Sequence, residues 1–544
     1  MFIKKYVAKL KTEFKGYNLQ RFSKDLMAGI TVTAVALPLA LAFGVACGAS
    51  PESGLVTAII AGLIMSALAG ASYQISGPTG AMSAILVGIT GAQHGLQSMF
   101  VVTVLAGILI LLCAVFKLGR LVSLIPRPVI TGFTSGIALT IALGQIDNFF
   151  GTHSEGTNAL SKIGSYFTLG FVPSWRVLLI GAIVIAIMVA WPKKWNSKVP
   201  SSLVAIIIAT IVSLPLGLDP KELVGTIPQK LVLDERFSFA AIDWKNFGSY
   251  LSPAFSIAAL ALIESLLCGA SASKMKGEEF DANQEIIAQG VGNIVVPFFG
   301  GVPATAAIAR TSVAIKSGAQ TRVCGIIHAL GLLISMFLLA PVMAKIPLSA
   351  LAGVLMVTAW RMNEWGEIKT IFSKKFISGI LEFLVTMIAT IVFDLTIAIV
   401  LGIALSALIF IYRSSKSSIT VNDIDEEKYG SETADVTKVM YIKGPVFFAN
   451  VNKLEKTIKE ELTGVEELII SLDSVNAIDT SGTTALCEEI EHLCKNNVKV
   501  ILCGGSKDVM SMLDKLNIKE IVGEENITST IDLAIEKTID RIEE

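Results

Sequence analysis

From residue 29 to Tyr412 the chain alternates long apolar runs with short polar or glycine- and proline-marked breaks, and after Arg413 the rhythm changes. A helix needs about 20 apolar residues to cross the ~30 Å hydrocarbon layer of a bilayer. On that measure the runs near 29–47, 54–71, 78–91, 98–116, 128–147, 175–191, 200–217, 251–270, 285–299, 304–317, 323–344, 348–361, 378–393 and 394–412 are predicted membrane spans, fourteen in all. The last two are the least sharply divided, because 377–412 is broken only by Glu382 and Asp394. Beyond a polar linker (413–435), apolar runs at 439–450, 467–475 and 498–505 alternate with helical patterns at 451–462, 478–497, 507–516 and 529–542. That alternation predicts a small α/β domain over 436–544 with a mostly parallel sheet. It carries no phosphate-loop signature, which argues against a motor ATPase.

Composition agrees with this division. Of 544 residues, 53% are hydrophobic and 16% charged, whereas a soluble chain carries about a quarter of its residues as charges. The formal net charge of -1 conceals two opposite halves: 15 Lys and Arg stand against 26 Asp and Glu from Arg413 onward, and 29 against 19 before it. These figures set aside extended disorder, collagen, a secreted disulfide scaffold and nucleic-acid binding. Lys117, Arg120, Arg127, Lys193, Lys194, Lys198, Lys274, Lys276, Lys316, Arg322, Arg361, Lys369, Lys374 and Lys375 fall on one side of the predicted membrane. The other side holds the sparser set Lys162, Arg176, Lys221, Lys230, Arg236, Lys245 and Lys345. Basic residues favour the cytoplasmic face, so both termini are predicted inside. Residues 1–28 are basic and amphipathic and lack the apolar core of a signal peptide. Seven cysteines without a CxxC pair, and four histidines, give no zinc pattern, so reduced thiols and no metal or cofactor are expected.

Two runs are too short to cross after their prolines: Ile75–Gly88 (ISGPTGAMSAILVG) and Gly300–Ile315 (GGVPATAAIARTSVAI). They are third and tenth in the span order. Their separation of seven spans, an odd number, makes the second copy enter from the opposite side, which predicts a seven-plus-seven inverted repeat. Matched short segments interrupted by glycine and proline are the sequence mark of a transporter's midplane site; two helices kinked for packing are the plainer alternative. Proline is tolerated in a first helical turn, and the following N–H groups, Thr79 to Met82 and Ala304 to Ala306, would carry partial positive charge towards an anion. Gly80, Ala81, Ala304 and Ala306 are small enough to admit a ligand to the backbone, and Thr79 and Thr305 add hydroxyl donors. Arg310, about two turns into the tenth span, stands either as a fixed positive charge behind that site or as the partner of a carboxylate. Glu264 lies in the eighth span with no basic neighbour in sequence. It is a candidate proton carrier, with structural pairing to Arg310 as the competing role. His94 and His153 read as loop, His328 as span edge and His492 as tail surface.

The stretches ISGPTGAMSA, Pro126–Leu139 (PRPVITGFTSGIAL), Asn283–Thr311 (NQEIIAQGVGNIVVPFFGGVPATAAIART) and the tail's IDTSG resemble, in this order along the chain, the sulfate permease family of anion transporters, whose C-terminal module is the STAS domain. The resemblance implies a core of spans 1–4 and 8–11 moving against a gate of spans 5–7 and 12–14. It also implies a homodimer and elevator-like alternating access. An anion would then lie between Thr79, Gly80, Ala81 and Ala304, Thr305, Ala306, with Phe43 lining the pocket, Arg310 behind it and Glu264 at the family's acidic coupling position. Cys268 and Ile308 leave few oxygen ligands for sodium beside Glu264, so protons are the expected coupling ion. Ser481 matches the serine phosphorylated in related soluble STAS proteins, the alternative being a plain helix cap. The expected function is secondary active transport of sulfate or a similar oxyanion in the plasma (inner) membrane, in contact with lipid. C4-dicarboxylate and bicarbonate remain alternatives, and an anion channel or a signalling protein is the reading from another class.

Overall fold

A helix overlaps every run read as a span. The computed structural model describes all residues except 1, 91–94, 118, 120–124, 156–158, 193–198, 228, 394, 417, 425–436, 463–464 and 544. His94, Arg120, Lys193, Lys194, Lys198, Asp394 and part of the expected linker therefore lie outside the described residues. Two compact units result, Met1–Ala404 and Leu405–Glu544, and the boundary falls inside the last apolar helix.

In the first unit, α1 (Phe2–Glu13) precedes α2 (Leu19–Ala46), α3 (Pro51–Leu68), the two-residue strand β1 (Ser76–Gly77), α4 (Gly80–Thr90), α5 (Gly95–Val115) and α6 (Arg127–Gly144). Next come α7 (Trp175–Ala190), α8 (Ser201–Ser213), α9 (Leu251–Lys276) and α10 (Ala282–Val295). The strand β2 (Thr305–Ala306) follows, then α11 (Ile308–Lys316), α12 (Val323–Leu338), α13 (Leu348–Met362) and α14 (Ile377–Val392), and α15 (Leu395–Ser414) contains the boundary. Among the described residues, six helical stretches are long and apolar enough to cross a bilayer, namely Leu19–Ala46, Pro51–Leu68, Gly95–Val115, Arg127–Phe150, Phe247–Ser273 and Ile397–Ser414. Polar caps set several starts. Asn18 Oδ1 accepts the Arg21 N–H at 3.0 Å and Asp281 Oδ1 accepts that of Gln284 at 3.1 Å, each relieving an unpaired first-turn donor.

Packing sorts these helices into two groups. α2 and α3 lie against α12, and α5 against α9 and α10, with α4 and α11 among them; α6 packs on α14, and α7 on α8 and α13. α4 touches α6 and α13 touches α2 where the groups meet.

α1 is fastened to the first group by one buried cation. Arg322 donates from Nη2 and Nε to Glu13 Oε2 at 2.7 and 3.0 Å, and from Nη1 to the Ala67 carbonyl at 2.8 Å. The Tyr6 hydroxyl and Lys9 ammonium close the contact on the Ala67 and Gly70 carbonyls. Burial pushes the Tyr6 hydroxyl up and the Lys9 ammonium down from their ordinary values. The Arg322 and Glu13 side chains are 4% and 7% exposed, so removing either strands the other charge. Glu13→Ala is expected to destabilise this unit by about 3–5 kcal/mol, read as a lower unfolding temperature of the solubilised protein.

In the second unit, the chain runs β3 (Ser418–Asp423), β4 (Thr437–Lys443), α16 (Val451–Glu461), β5 (Glu467–Ser474), α17 (Thr480–Lys495), β6 (Lys499–Cys503), α18 (Lys507–Asp514), β7 (Ile527–Thr528) and α19 (Ile531–Glu543). The sheet order is β3-β4-β5-β6-β7, with β3 antiparallel and the remaining pairs parallel. β3 corrects the sequence reading, which placed these residues in a linker: Ile419, Thr420 and Val421 favour an extended backbone, and β4 supplies the ladder. β5 is buried on both faces. Leu468, Ile470 and Leu472 join the core that holds Leu454 and Leu486, while Ile469 faces Ala534 and Ile535. None of the seven cysteines forms a disulfide, and burial pushes the Cys487 and Cys503 thiols up to about 11, which keeps them unreactive.

Candidate functional site

The two short segments meet head to head. Val302 precedes proline and is biased to extended backbone, and the chain stays extended through β2 before α11 begins at Ile308. Pro78 separates β1 from α4 in the same way. The strands cross as an antiparallel pair, Ser76 opposite Ala306 and Gly77 opposite Thr305, which the opposite entry of inverted repeats requires. α4 starts at Gly80, so the N–H groups of Gly80, Ala81 and Met82 lie outside its own ladder, and the first internal bond is Ser83 N–H to Thr79 O at 3.2 Å.

The second segment departs from expectation. The Ala304 N–H donates to Asn293 Oδ1 at 2.8 Å and the Ala306 N–H to Ser265 Oγ at 3.1 Å, so neither is left for a ligand. The reason is the extended β2, which moves the helix start from the proline to Ile308 and transfers the unpaired donors to Ile308, Ala309 and Arg310. Ile308 is 47% exposed, so this helix end faces open space.

Glu264 joins the two segments. Its Oε2 accepts from Thr79 Oγ1 at 2.9 Å and from Thr305 Oγ1 at 2.7 Å, and the two hydroxyl oxygens lie 3.1 Å apart. Arg310 does not pair with it. The guanidinium is 1% exposed and donates from Nη2 to the Pro78 carbonyl at 2.6 Å, while Nη1 has no hydrogen-bond partner among the described residues. A methyl at Gly77 would lie 2.6 Å from Nη1, so only glycine lets the cation lie flat on the strand. Among the described residues this buried cation is hydrogen-bonded by a carbonyl alone, which leaves positive potential at the root of α4.

Phe43, 6% exposed, stands beside this group: a Cβ at Gly80 would meet its Cε1 at 3.2 Å and Ile141 Cδ1 at 2.4 Å. Gly80 thus also leaves room for the tips of the Phe43 and Ile141 side chains. Phe43, Thr79, Gly80, Ala81, Glu264, Ala304, Thr305, Ala306 and Arg310 all converge at one crossing. His328 is corrected from span edge to the fully buried interior of α12. The sequence reading missed Asn293, Gln289 and Glu285, although their spacing of four in an apolar span was a legible sign of one polar helix face. Among the described residues no cluster of His, Cys, Asp or Glu has metal-binding arrangement. In the tail, Asp479 is the cap of α17, its Oδ1 accepting the Gly482 N–H at 2.7 Å, and Ser481 is an exposed first-turn residue.

Comparison with known proteins decides the family. Residues 22–390 match the model of the sulfate permease family and residues 430–534 that of the STAS domain. The chain belongs to the sulfate permease family. Family members are transporters and not enzymes, and their fold is multi-pass in the membrane. This sulfate permease chain is 34% identical over 528 residues to YvdB of Bacillus subtilis, named as a candidate sulfate transporter, covering 94% of this chain and 97% of that one. The bicarbonate transporter BicA of Picosynechococcus is 27% identical, over 91% and 90% of the two chains. The solved transmembrane domain of a cyanobacterial BicA superposes with a TM-score of 0.62 at 27% identity, over 72% of this chain and 98% of that one. The murine anion transporter Slc26a9, solved inward-facing, shares the fold at a TM-score of 0.82 and 17% identity, over 97% and 93%.

Proposed function

We propose that this protein is a proton-coupled secondary active transporter of a small oxyanion, sulfate foremost, working by elevator-like alternating access. The observation that carries the reading is the Thr79–Thr305–Glu264 triangle. Each hydroxyl has one proton to donate. With Glu264 ionised, both threonines donate to the carboxylate, and a negative charge faces any incoming anion. With Glu264 protonated, its own O–H donates to Thr305, Thr305 donates to Thr79, and Thr79 is released to donate to the anion. Protonation thus removes a repelling charge and adds a donor in one step, which couples the two ligands in the same direction. Glu264 is partly exposed, which gives a proton access to it.

The anion would sit where the Gly80–Met82 donors, Thr79, Phe43 and the buried charge of Arg310 converge, with α11's first-turn donors opposite. The two helix groups would serve as the moving core and the gate. A homodimer in the inner membrane with both termini cytoplasmic completes the proposal, and Ser481, exposed in the first turn of α17, is its candidate phosphorylation site. The names of the relatives favour sulfate and keep bicarbonate as the second substrate; C4-dicarboxylate fits the same donors.

The test is uptake of labelled sulfate by proteoliposomes, with bicarbonate and C4-dicarboxylates as competitors, under a proton or a sodium gradient. Concentrative, saturable uptake driven by the proton gradient is expected. Uptake driven by sodium and indifferent to pH would overturn the coupling assignment, and non-saturating flux that never exceeds the passive gradient would make the protein a channel.

A further inference from the structure

β1 and β2 pair only with each other, two residues apiece, so the segments leading into them need other partners to hold the crossing in place. Three fully buried polar residues of α10 do this at a spacing of four: Glu285, Gln289 and Asn293. Residues four apart share one helix face, and this face reaches along both half-helix leads. Glu285 Oε2 accepts the Gly70 N–H at 2.9 Å, ahead of β1. Gln289 spends both protons of Nε2, one on Ser76 Oγ in β1 at 3.0 Å and one on Glu285 Oε1 at 2.8 Å. Asn293 brackets Ala304, ahead of β2, accepting its N–H at 2.8 Å and donating Nδ2–H to its carbonyl at 2.9 Å.

The inverted repeat makes α3 the counterpart of α10, and α3 grips the same leads from the other side. Thr57 Oγ1 accepts the Val302 N–H at 2.6 Å and lies 3.0 Å from the Val302 carbonyl, and Ser66 Oγ reaches the Gln74 carbonyl at 3.4 Å. α3 and α10 pack on one another. Each helix therefore touches the lead of its own repeat's half-helix and that of the other.

We infer that these two helices act as a ruler for the anion site: Glu285, Gln289 and Asn293, with Thr57 opposite, are positioning residues that set the gap between the starts of α4 and α11 and so the size of anion admitted. None of them is placed to touch the anion. Their effect passes through backbone donors whose reach falls off within tenths of an ångström. The inference rests on the anion-transport reading above.

It is tested on full-length protein with Asn293→Leu, the isosteric Thr57→Val, and Thr57→Ser, which keeps the hydroxyl. Two readouts are taken. One is the apparent KM for sulfate and for succinate in proteoliposomes. The other is amide hydrogen exchange of residues 302–306 in the solubilised protein. Asn293→Leu and Thr57→Val are expected to speed exchange at 302–306. They should also shift the succinate-to-sulfate KM ratio by about tenfold with a much smaller change in maximal rate, and Thr57→Ser should restore both values. Faster exchange with an unchanged KM ratio would overturn the inference, as would unchanged exchange. A wild-type protein that transports neither anion would defeat the transport reading and with it the claim about anion size, while exchange would still report whether these residues hold 302–306 in place. Should Asn293→Leu fail to fold, the Thr57 pair decides alone.

Discussion

Glu264→Gln protein is expected to bind and exchange anion but to lose concentrative uptake driven by a proton gradient. A one-unit pH difference is worth about 1.4 kcal/mol, or about tenfold accumulation at a one-to-one stoichiometry. The glutamine amide mimics the protonated acid in shape and charge. Its Nε2–H can donate to Thr305 as the acid O–H does, leaving Thr79 free for the anion, but it cannot release a proton on the other side. Acidifying one face should therefore leave uptake by the variant flat, while counterflow against preloaded sulfate persists. The sign follows from the triangle: the wild type gains uptake on the acidified side and loses it as that side becomes alkaline. A variant that keeps the full pH response would remove Glu264 from the coupling role.

Arg310→Ala is expected to weaken anion binding by about 10- to 100-fold, the equivalent of one charge-assisted interaction of about 1.5–3 kcal/mol. Two losses combine there. The positive potential at the root of α4 disappears, and the Pro78 carbonyl, which receives Nη2 at 2.6 Å, loses its partner. Arg310→Lys separates them, because it restores the charge without the planar group that lies on Gly77. Its affinity should fall between those of wild type and alanine. Thermal stabilisation of the solubilised protein by increasing sulfate provides the measurement; stabilisation by Arg310→Ala equal to that of the wild type would show that the charge does not act on the anion.

Much of this site was legible because it depends on rare residues in an apolar background. Glu264 and Arg310 stand out where charges are expensive, and the paired Gly-Pro segments state their own symmetry. What escaped was pairwise and distant. That Thr79 and Thr305 turn to Glu264, while Arg310 bonds to a carbonyl instead, depends on contacts between residues far apart in the chain, 185 and 41 positions for the two threonines, and no local pattern encodes them. The proline in 300–315 suggested a helix starting directly after it; the backbone stays extended because β1 is there to pair with, a tertiary partner invisible to propensity. His328 was misplaced for a related reason: a polar residue near the end of an apolar run looks like a boundary until neighbouring helices enclose it. In the tail the strands and helices followed their periodicity closely, and β3 was lost because six residues in a polar stretch become a strand only beside β4.

The crossing of β1 and β2 also has a consequence for how the protein is made. Pro78 and Arg310, which bond to each other, are 232 positions apart. At roughly 5–20 residues per second of synthesis, the first half-helix waits some tens of seconds for its partner. During that interval Ser76, Gly77 and Thr79 must be sheltered by other helices, by water or by the insertion machinery, since lipid offers them no hydrogen bonds. Release of the ribosome between the two repeats therefore yields a chain that cannot complete its own interior. The quality-control machinery of the cell has a simple mark by which to find it, a glycine- and proline-rich segment still unpaired within the membrane.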